Sequence, residues 1–186
     1  TKASMLAEIH FKDCRVSMEN LLGKKGMGFL QIVHSALDNG RYSIACGSVG
    51  ISRACLEDSI RFIKIRKQFG VFLKEHQLTK QKIANMITEV KAAQLLCFNA
   101  GHLRDAKSPD AFIQTSVAKY FASRAANRIA SDAVQLHGAL GCHDEHSIQR
   151  YFRDAKIMEI IEGTTEIQQL LIAGQGISNL GSIIDR

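Results

Sequence analysis

Apolar residues recur every three or four positions along most of this chain, and that spacing places them on one face of a helix. The first such stretch covers about residues 29–65 and the second about residues 78–103. A third starts at Ser108-Pro109-Asp110, since serine caps a helix and proline suits its first position. Beyond the break at residues 138–141, a shorter helix is predicted near residues 146–157, and a last one follows Glu162. Four or five antiparallel helices with short connections predict an all-α fold, a four-helix bundle.

The first residues follow a different pattern. Over residues 6–16, Ile9 and Phe11 alternate with polar residues, which is the period of a strand. One or two strands do not form a stable sheet alone. We therefore expect residues 1–26 to be the tail of a β-domain with a linker, and residues 27–186 to form a helical domain.

Composition narrows the class of protein. The 186 residues are 46% hydrophobic, without an apolar run of membrane-spanning length or a signal-peptide stretch. A cytoplasmic protein is therefore expected, or one of an organelle matrix if a targeting segment was removed. Five cysteines without a Cys-x-x-Cys pair predict free thiols, most of them in the core.

Charge distribution and metal-ligand spacing argue against two further classes, nucleic-acid binders and metal sites. The net charge is +6, but the basic residues are scattered among acidic ones with few aromatic residues between them, so no nucleic-acid partner is expected. Cys142, His143, Asp144 and His146 stand too close together for the usual zinc spacing, and we expect no metal site there.

Glu162 is the strongest candidate for a catalytic residue. It follows two isoleucines, residues 160–161, which would desolvate its carboxylate and raise its proton affinity, and it precedes Gly163, which lets the backbone approach a ligand. Such a carboxylate can act as a general base that takes a proton from carbon. One of the two following threonines can cap the next helix, and Thr165 with Gln168 fits a capping box. A solvated glutamate in a helix-connecting turn is the simpler alternative.

Two further segments could bind a ligand. Residues 66–70 read Arg-Lys-Gln-Phe-Gly and are followed by His76-Gln77, which offers a cation, amides and an aromatic ring to a diphosphate and a flat ring system. The alternative is a solvated helix C-terminus, where positive charge suits the dipole. Residues 135–141, Gln-Leu-His-Gly-Ala-Leu-Gly, could bring backbone amides against a phosphate, although glycines commonly just end helices.

The order of these segments resembles the C-terminal half of the flavin-dependent acyl-CoA dehydrogenases over nearly the whole chain. Each segment is a weak signal alone, but their order is specific. The matching segments are Asp38-Asn39-Gly40-Arg41, Arg66-Lys67-Gln68-Phe69-Gly70, His76-Gln77, Asp132-Ala133-Val134-Gln135, Arg153-Asp154-Ala155-Lys156 and Glu162-Gly163-Thr164.

The resemblance implies a three-domain enzyme, of which this chain holds the tail of the middle β-domain and the complete C-terminal bundle. It implies FAD as cofactor, an acyl-CoA or acyl-carrier-protein thioester as substrate, and an electron acceptor such as an electron-transfer flavoprotein. It also implies a homodimer or homotetramer. Residues 118–123 and 158–163 are most similar to members that oxidise carrier-protein thioesters in polyketide-type pathways.

Carried over residue by residue, the resemblance makes Glu162 the base that removes the α-proton, with its backbone N–H polarising the thioester carbonyl. Asp38, Arg41 and Gly163 match substrate-binding positions. The positions that match flavin contacts are Arg66, Gln68, Phe69, His76, Gln77, Gln135, Gly138, Gly141, Thr164 and Glu166.

Three positions bear on how far the resemblance extends. Ile161 stands where many medium-chain members have Tyr, and Ala139 replaces one glycine of the usual double-glycine turn, so the acyl preference is open. Some subfamilies place the base near the position of Gly40, where a glycine cannot serve. A non-catalytic helical interaction module is the alternative from another class of protein, and in it Glu162, Arg66 and Gln135 would need no shared ligand.

Overall fold

The computed structural model describes residues 5–178, which form five α-helices and one two-stranded hairpin. The predicted all-α bundle is confirmed. The elements are α1 (His34–Ile65), β1 (Lys67–Gln68), β2 (Val71–Phe72), α2 (Gln77–Asp105), α3 (Ala111–His137), α4 (Ser147–Ile160) and α5 (Thr165–Ser178). A π-helical turn at Gly28–Val33 leads into α1. No helix among residues 5–178 is long and apolar enough to cross a membrane.

Helix α3 is the centre of the bundle and packs against the other four helices. Its inner side is rich in small residues, which let helix axes approach closely. Ile129 of α3 joins Cys55 of α1 and Met86 of α2 in one buried cluster. The alanines of α3 that are wholly buried are Ala118, Ala122, Ala125, Ala126, Ala130 and Ala133.

A tight hairpin joins α1 to α2. Strands β1 and β2 pair antiparallel, with Gln68 opposite Val71. Phe69 and Gly70 between them have φ of 53° and 82°, the left-handed values of a two-residue hairpin turn. The Phe69 side chain at the tip is 94% exposed. The sequence predicts a helix end here and does not indicate the hairpin, because strands of two residues leave no periodicity to detect.

The strand expected over residues 6–16 is wrong for this structure. A strand needs a neighbour to pair with, and the described part of the chain offers none. Ile9 and Phe11, which set the alternation, are 73% and 80% exposed. The alternation therefore indicates an apolar face that packs against other residues, and residues 5–178 do not provide that packing.

Two smaller predictions also change. Helix α3 begins at Ala111 rather than at Pro109, and Ser108 accepts a hydrogen bond from Asp110 N (3.2 Å) in the turn before it. All five cysteines are free thiols as predicted, but only Cys55 and Cys97 are buried, where desolvation raises their pKa to about 12. Within residues 5–178, no three His, Cys, Asp or Glu side chains come together as a metal site.

Candidate active site

Glu162 lies in the tight turn between α4 and α5. Helix α4 closes where Ile161 N–H donates to Ile157 O (3.0 Å), and α5 begins at Thr165. Between them, Glu162 and Gly163 have φ of 56° and 93°. A left-handed backbone costs a residue other than glycine roughly 1–2 kcal/mol, so contacts with the rest of the bundle must hold Glu162 in place.

The Glu162 side chain lies against the backbone of α1 at Gly40. A Cβ atom on Gly40 would lie 2.1 Å from Oε2 and 2.8 Å from Oε1 of Glu162, so any other residue there would displace the carboxylate. Ile160 and Ile161 are 49% and 36% exposed. The half-buried Glu162 carboxylate therefore lies against α1, and the two isoleucines before it are themselves substantially exposed.

Three buried side chains bind the backbone carbonyls of this turn. Arg41 Nε donates to Glu162 O (3.3 Å), and Gln168 Nε2 donates to Glu162 O (3.4 Å) and Gly163 O (3.2 Å). Lys119 Nζ donates to Gly163 O (2.7 Å) and Glu159 O (3.3 Å). Helices α1, α3 and α5 thus each contribute one donor, and together they stabilise the left-handed backbone at Glu162.

Sequence reasoning missed the roles of Lys119 and Gln168. Both side chains are 0% exposed. Gln168 was assigned to a capping box with Thr165, but its amide donates to the carbonyls of the turn instead. The one available signal for Lys119 was its place beside wholly buried alanines of α3, since a charged residue next to core positions is unusual.

Arg41 is a second buried cation of the site, beside Lys119, with 3% of its surface exposed. Burial lowers its pKa, while the charges of Asp38 and Glu162 act in the opposite direction. Its guanidinium lies over the ring of Phe112, 5.3 Å from the centroid, and Nη1 has no hydrogen-bond partner within the described chain. An arginine held by its Nε with a free Nη1 can donate to an incoming ligand.

Asp38, one helical turn before Arg41, is paired with a residue that the sequence did not indicate. Arg104 at the end of α2 donates to Oδ2 of Asp38, to Asn39 and to Thr115 Oγ1 (3.3 Å). The second carboxylate oxygen, Oδ1, is buried without a partner among residues 5–178. Asp38 therefore has one oxygen engaged in the bundle and one left to accept a hydrogen bond.

Thr164, rather than Thr165, caps α5. Thr164 Oγ1 accepts from Ile167 N (3.5 Å), and Gln168 N–H donates to Thr164 O (3.0 Å). Glu166 follows in the first turn and is exposed. Hydrogen bonds from its own backbone N–H and from the Thr164 hydroxyl lower the pKa of the Glu166 carboxyl. Both residues follow the candidate base closely in the chain, at the start of α5.

A second group of candidate residues lines one groove of about 440 Å³. Arg66 and Gln68, from the α1 end and β1, face Gln135 and Gly138, from the end of α3. The structure thus brings together four residues that the sequence placed in two separate segments. Apolar side chains complete the walls: Phe62, Leu73, Leu136 and Leu140.

The remaining candidates near this groove differ in exposure. Phe69 and His76 form an edge-on aromatic pair with centroids 6.4 Å apart, and His76 Nε2 is buried without a partner within residues 5–178. Gln77 is exposed at the first position of α2. Gly141 is buried, and a Cβ there would lie 2.8 Å from Val134 O, so this glycine closes the end of α3 and does not line the groove.

The two groups lie at opposite ends of α1. Gly40 and Arg41 meet the Glu162 turn near the start of the helix, whereas Phe62 and Arg66 line the groove at its end. At a rise of 1.5 Å per residue, roughly 30 Å of helix separates them. A ligand that contacts both groups within one copy of this chain would have to extend over that distance.

Comparison with known proteins gives consistent matches. The family model described as acyl-CoA dehydrogenase, C-terminal domain, matches residues 26–177. The mitochondrial short-chain specific acyl-CoA dehydrogenase of Sus scrofa is 42% identical over 173 residues, which are 93% of this chain and 42% of that protein.

Solved structures match equally well. Butyryl-CoA dehydrogenase from Megasphaera elsdenii has a TM-score of 0.85 and 36% identity over 90% of this chain and 43% of its own. The prolyl acyl carrier protein oxidase AnaB has a TM-score of 0.83 and 30% identity over 91% of this chain and 43% of its own. The chain thus spans less than half the length of these relatives. It belongs to the acyl-CoA dehydrogenase family and carries the C-terminal helical domain of that family.

Proposed function

We propose that this chain forms the C-terminal helical part of a flavin-dependent acyl-CoA dehydrogenase, in which Glu162 removes the α-proton of an acyl thioester. The observation that carries this proposal is the Glu162 carboxylate against Gly40, on a turn whose carbonyls are bound from three helices. No hydrogen bond within residues 5–178 engages its carboxylate oxygens. A base that is free and held in one geometry suits proton abstraction from carbon, because less motion precedes the reaction.

The other groups around Glu162 have parts in this proposal. Loss of the α-proton develops negative charge on the thioester oxygen, and we assign its stabilisation to the backbone N–H of Glu162. The unpartnered Nη1 of Arg41 and Oδ1 of Asp38 would hold the thioester arm, beside Gly163. FAD, when bound, supplies the acceptor for the hydride that leaves the β-carbon.

We assign the groove around Arg66 to one end of FAD. A diphosphate needs cations and N–H donors, which Arg66, Gln68 and Gln135 supply, and Gly138 leaves the backbone accessible. His76 Nε2 is a buried polar atom without a partner among residues 5–178, as expected where a ligand completes the hydrogen bonding. Phe69 and Gln77 extend the same surface. Thr164 and Glu166 would contact the cofactor at the other end of α1, and Gly141 would act by shaping the turn.

The separation of these two groups supports a dimer. If Thr164 contacts the cofactor of its own subunit, the Arg66 groove must contact the cofactor of a neighbour, because roughly 30 Å of α1 lies between them. We therefore propose a homodimer or a homotetramer built from dimers, in which each cofactor is bound by two copies of the chain. Sedimentation of the full-length protein tests this proposal, and a strict monomer with full flavin content would contradict it.

Two substrate carriers fit the family. The matches to short-chain acyl-CoA dehydrogenase and butyryl-CoA dehydrogenase favour a CoA thioester, and the match to an acyl carrier protein oxidase, at lower identity, supports a carrier-protein thioester as the alternative. The net charge of +6 suits either carrier, since both bear phosphate. An electron-transfer flavoprotein is the electron acceptor that we expect. A non-catalytic interaction module remains the competing function.

An absorption spectrum of the full-length purified protein, before and after a panel of acyl-CoA and acyl-carrier-protein thioesters, tests the proposed function. A flavin band bleached by one thioester would support the dehydrogenase and name its substrate. A protein that purifies without flavin and does not take it up would favour the interaction module.

A further inference from the structure

Lys119 is a wholly buried lysine with both of its contacts on the backbone of the catalytic turn. Its side chain is 0% exposed, and Nζ donates to Gly163 O at 2.7 Å and to Glu159 O at 3.3 Å. Glu159 O belongs to the last turn of α4, and Gly163 O directly follows Glu162. A single ammonium group thus joins the end of one helix to the far side of the turn that carries the candidate base.

Packing does not explain a lysine at this position. Removing an ammonium from water costs several kcal/mol, and an apolar residue of similar length in a buried site is often neutral or stabilising. Desolvation lowers the pKa of Lys119 to about 8, against the charges of Glu159, Glu162 and Glu166, whereas Arg41 adds to the lowering. The burial of this charge is unfavourable in itself, so the presence of a lysine at this position requires a reason other than packing.

The geometry of the turn supplies that reason. Helix α4 ends with free carbonyl groups that carry partial negative charge, which a cation at the C-terminus stabilises. Glu162 must then adopt a left-handed backbone, at φ 56°, to place its carboxylate against Gly40. Arg41 and Gln168 bind Glu162 O, but Lys119 is the donor among the three that reaches both sides of Glu162.

We propose that Lys119 is a positioning residue for the base: by binding Glu159 O and Gly163 O it fixes the α4–α5 turn and so holds the Glu162 carboxylate against Gly40. This proposal rests on the proposed function and deepens it. Lys119 contacts the turn through backbone atoms and takes no proton from the substrate. Its loss should slow proton abstraction and leave the binding of flavin and thioester largely intact.

The test uses three variants of the full-length flavoprotein. Lys119→Met removes the ammonium and keeps the length of the side chain, and Lys119→Arg keeps a cation with N–H donors. Ser123→Ala is the matched control, since Ser123 is also 0% exposed, lies one turn further along α3 and donates only to Lys119 O (2.8 Å). Flavin content, thioester affinity and thermal midpoint are measured for each.

Proton abstraction is measured by itself with a thioester that carries deuterium at the α-carbon and sulfur in place of the β-carbon. This probe can lose its α-deuterium to a base but has no β-hydride to transfer, so mass spectrometry of label loss isolates the first step. For Lys119→Met we expect label loss per bound flavin, and flavin reduction by a normal thioester at saturation, to fall at least tenfold. We expect Ser123→Ala to stay within about twofold of wild type, and Lys119→Arg to recover most of the loss.

The other outcomes overturn the proposal. Label loss within twofold of wild type in Lys119→Met would show that the turn holds its geometry without the ammonium. A decrease in proportion to lost flavin, or an equal decrease in Lys119→Arg with flavin retained, would indicate a structural role only. If Lys119→Met does not fold, Lys119→Gln, which keeps one amide donor, undergoes the same measurements. Glu162→Gln separates the two proposals: label loss that survives in it contradicts Glu162 as base, whatever Lys119 does.

Discussion

Gly40 of α1 and Glu162 of the α4–α5 turn share one small volume, in which a Cβ atom on Gly40 would lie 2.3 Å from Cδ of the glutamate. The carboxylate can lie there only because residue 40 has no side chain. Helix α1 is continuous on both sides of Gly40, so its backbone cannot readily move away from the turn. The position of the candidate base therefore depends on a glycine that is far away along the chain.

Gly40→Ala should displace the carboxylate without unfolding the protein. Alanine is favoured over glycine inside a helix by about 1 kcal/mol, which offsets part of the cost of moving the Glu162 side chain. We expect flavin reduction by saturating thioester to fall at least tenfold, at unchanged flavin content. Stopped-flow absorbance of the full-length variant measures this rate.

Gly47→Ala is the control for that substitution. Gly47 lies two turns further along α1, where an added Cβ would meet nothing within 4 Å. This variant should keep the wild-type rate and gain up to about 1 kcal/mol of stability. A normal rate in Gly40→Ala would mean that the carboxylate acts from another place.

Glu162→Gln should abolish proton abstraction, whereas the same change at Glu159 or Glu166 should have a small effect. The amide keeps the shape of the side chain but removes the base, and general bases contribute roughly 10²- to 10⁴-fold in rate. The two neighbours have other partners. Burial acts to raise the pKa of Glu159, but hydrogen bonds from Lys156 (2.8 Å) and Asn127 (2.9 Å) outweigh it and lower that pKa overall.

Stopped-flow flavin reduction of the three variants decides among the glutamates. We expect flavin to remain bound in all of them. A near-normal rate in Glu162→Gln would refute the assignment, and a collapse in Glu159→Gln alone would move the base one helical turn upstream.

Lys119 should make stability depend on pH in the alkaline range. Its pKa is about 8 in the folded protein and near 10.5 when unfolded, so between these values the unfolded state binds more protons and stability rises with pH. Lys119→Met removes this contribution. We therefore expect the free energy of unfolding of Lys119→Met, relative to wild type, to be highest near pH 7 and to fall by about 1–3 kcal/mol by pH 10.

The difference between variant and wild type is the quantity to measure, from unfolding midpoints at several pH values. Cys55 and Cys97, with pKa raised to about 12, lower stability as pH rises above their unfolded values, but they do so in both proteins and cancel. A difference that is independent of pH would show that Lys119 carries no shifted titration.

The groove at the end of α1 should matter for flavin retention. Arg66→Ala and Gln135→Ala each remove a donor from the groove, and we expect each to weaken flavin binding by the full-length protein about tenfold. Arg53→Ala is the matched control, because Arg53 is an exposed arginine of α1 whose partner is Glu57 (3.6 Å).

Residues 1–186 alone should bind flavin weakly in equilibrium dialysis, and tight stoichiometric binding would contradict a cofactor shared between subunits and domains.

Local sequence determined the helices and the place of the turn. Apolar spacing predicted the extents of α1 and α2 to within a few residues. The buried face of a helix has the same three- and four-residue spacing regardless of the element that it packs against. Gly163, with φ of 93°, marked the turn that separates Glu162 from the helix that follows, because only glycine adopts that conformation without strain. The resemblance to a family then supplied the candidate roles in the order in which they occur along the chain.

Tertiary structure alone decided how the site is held. Periodicity says which face of a helix is buried, but it does not name the residue that a buried side chain will meet. Lys119 on α3, Gln168 on α5 and Arg104 on α2 looked like ordinary helical polar residues in the sequence. Their hydrogen bonds exist only because packing brings them against carbonyls and carboxylates far away along the chain, and the contact between Gly40 and Glu162 arises in the same way.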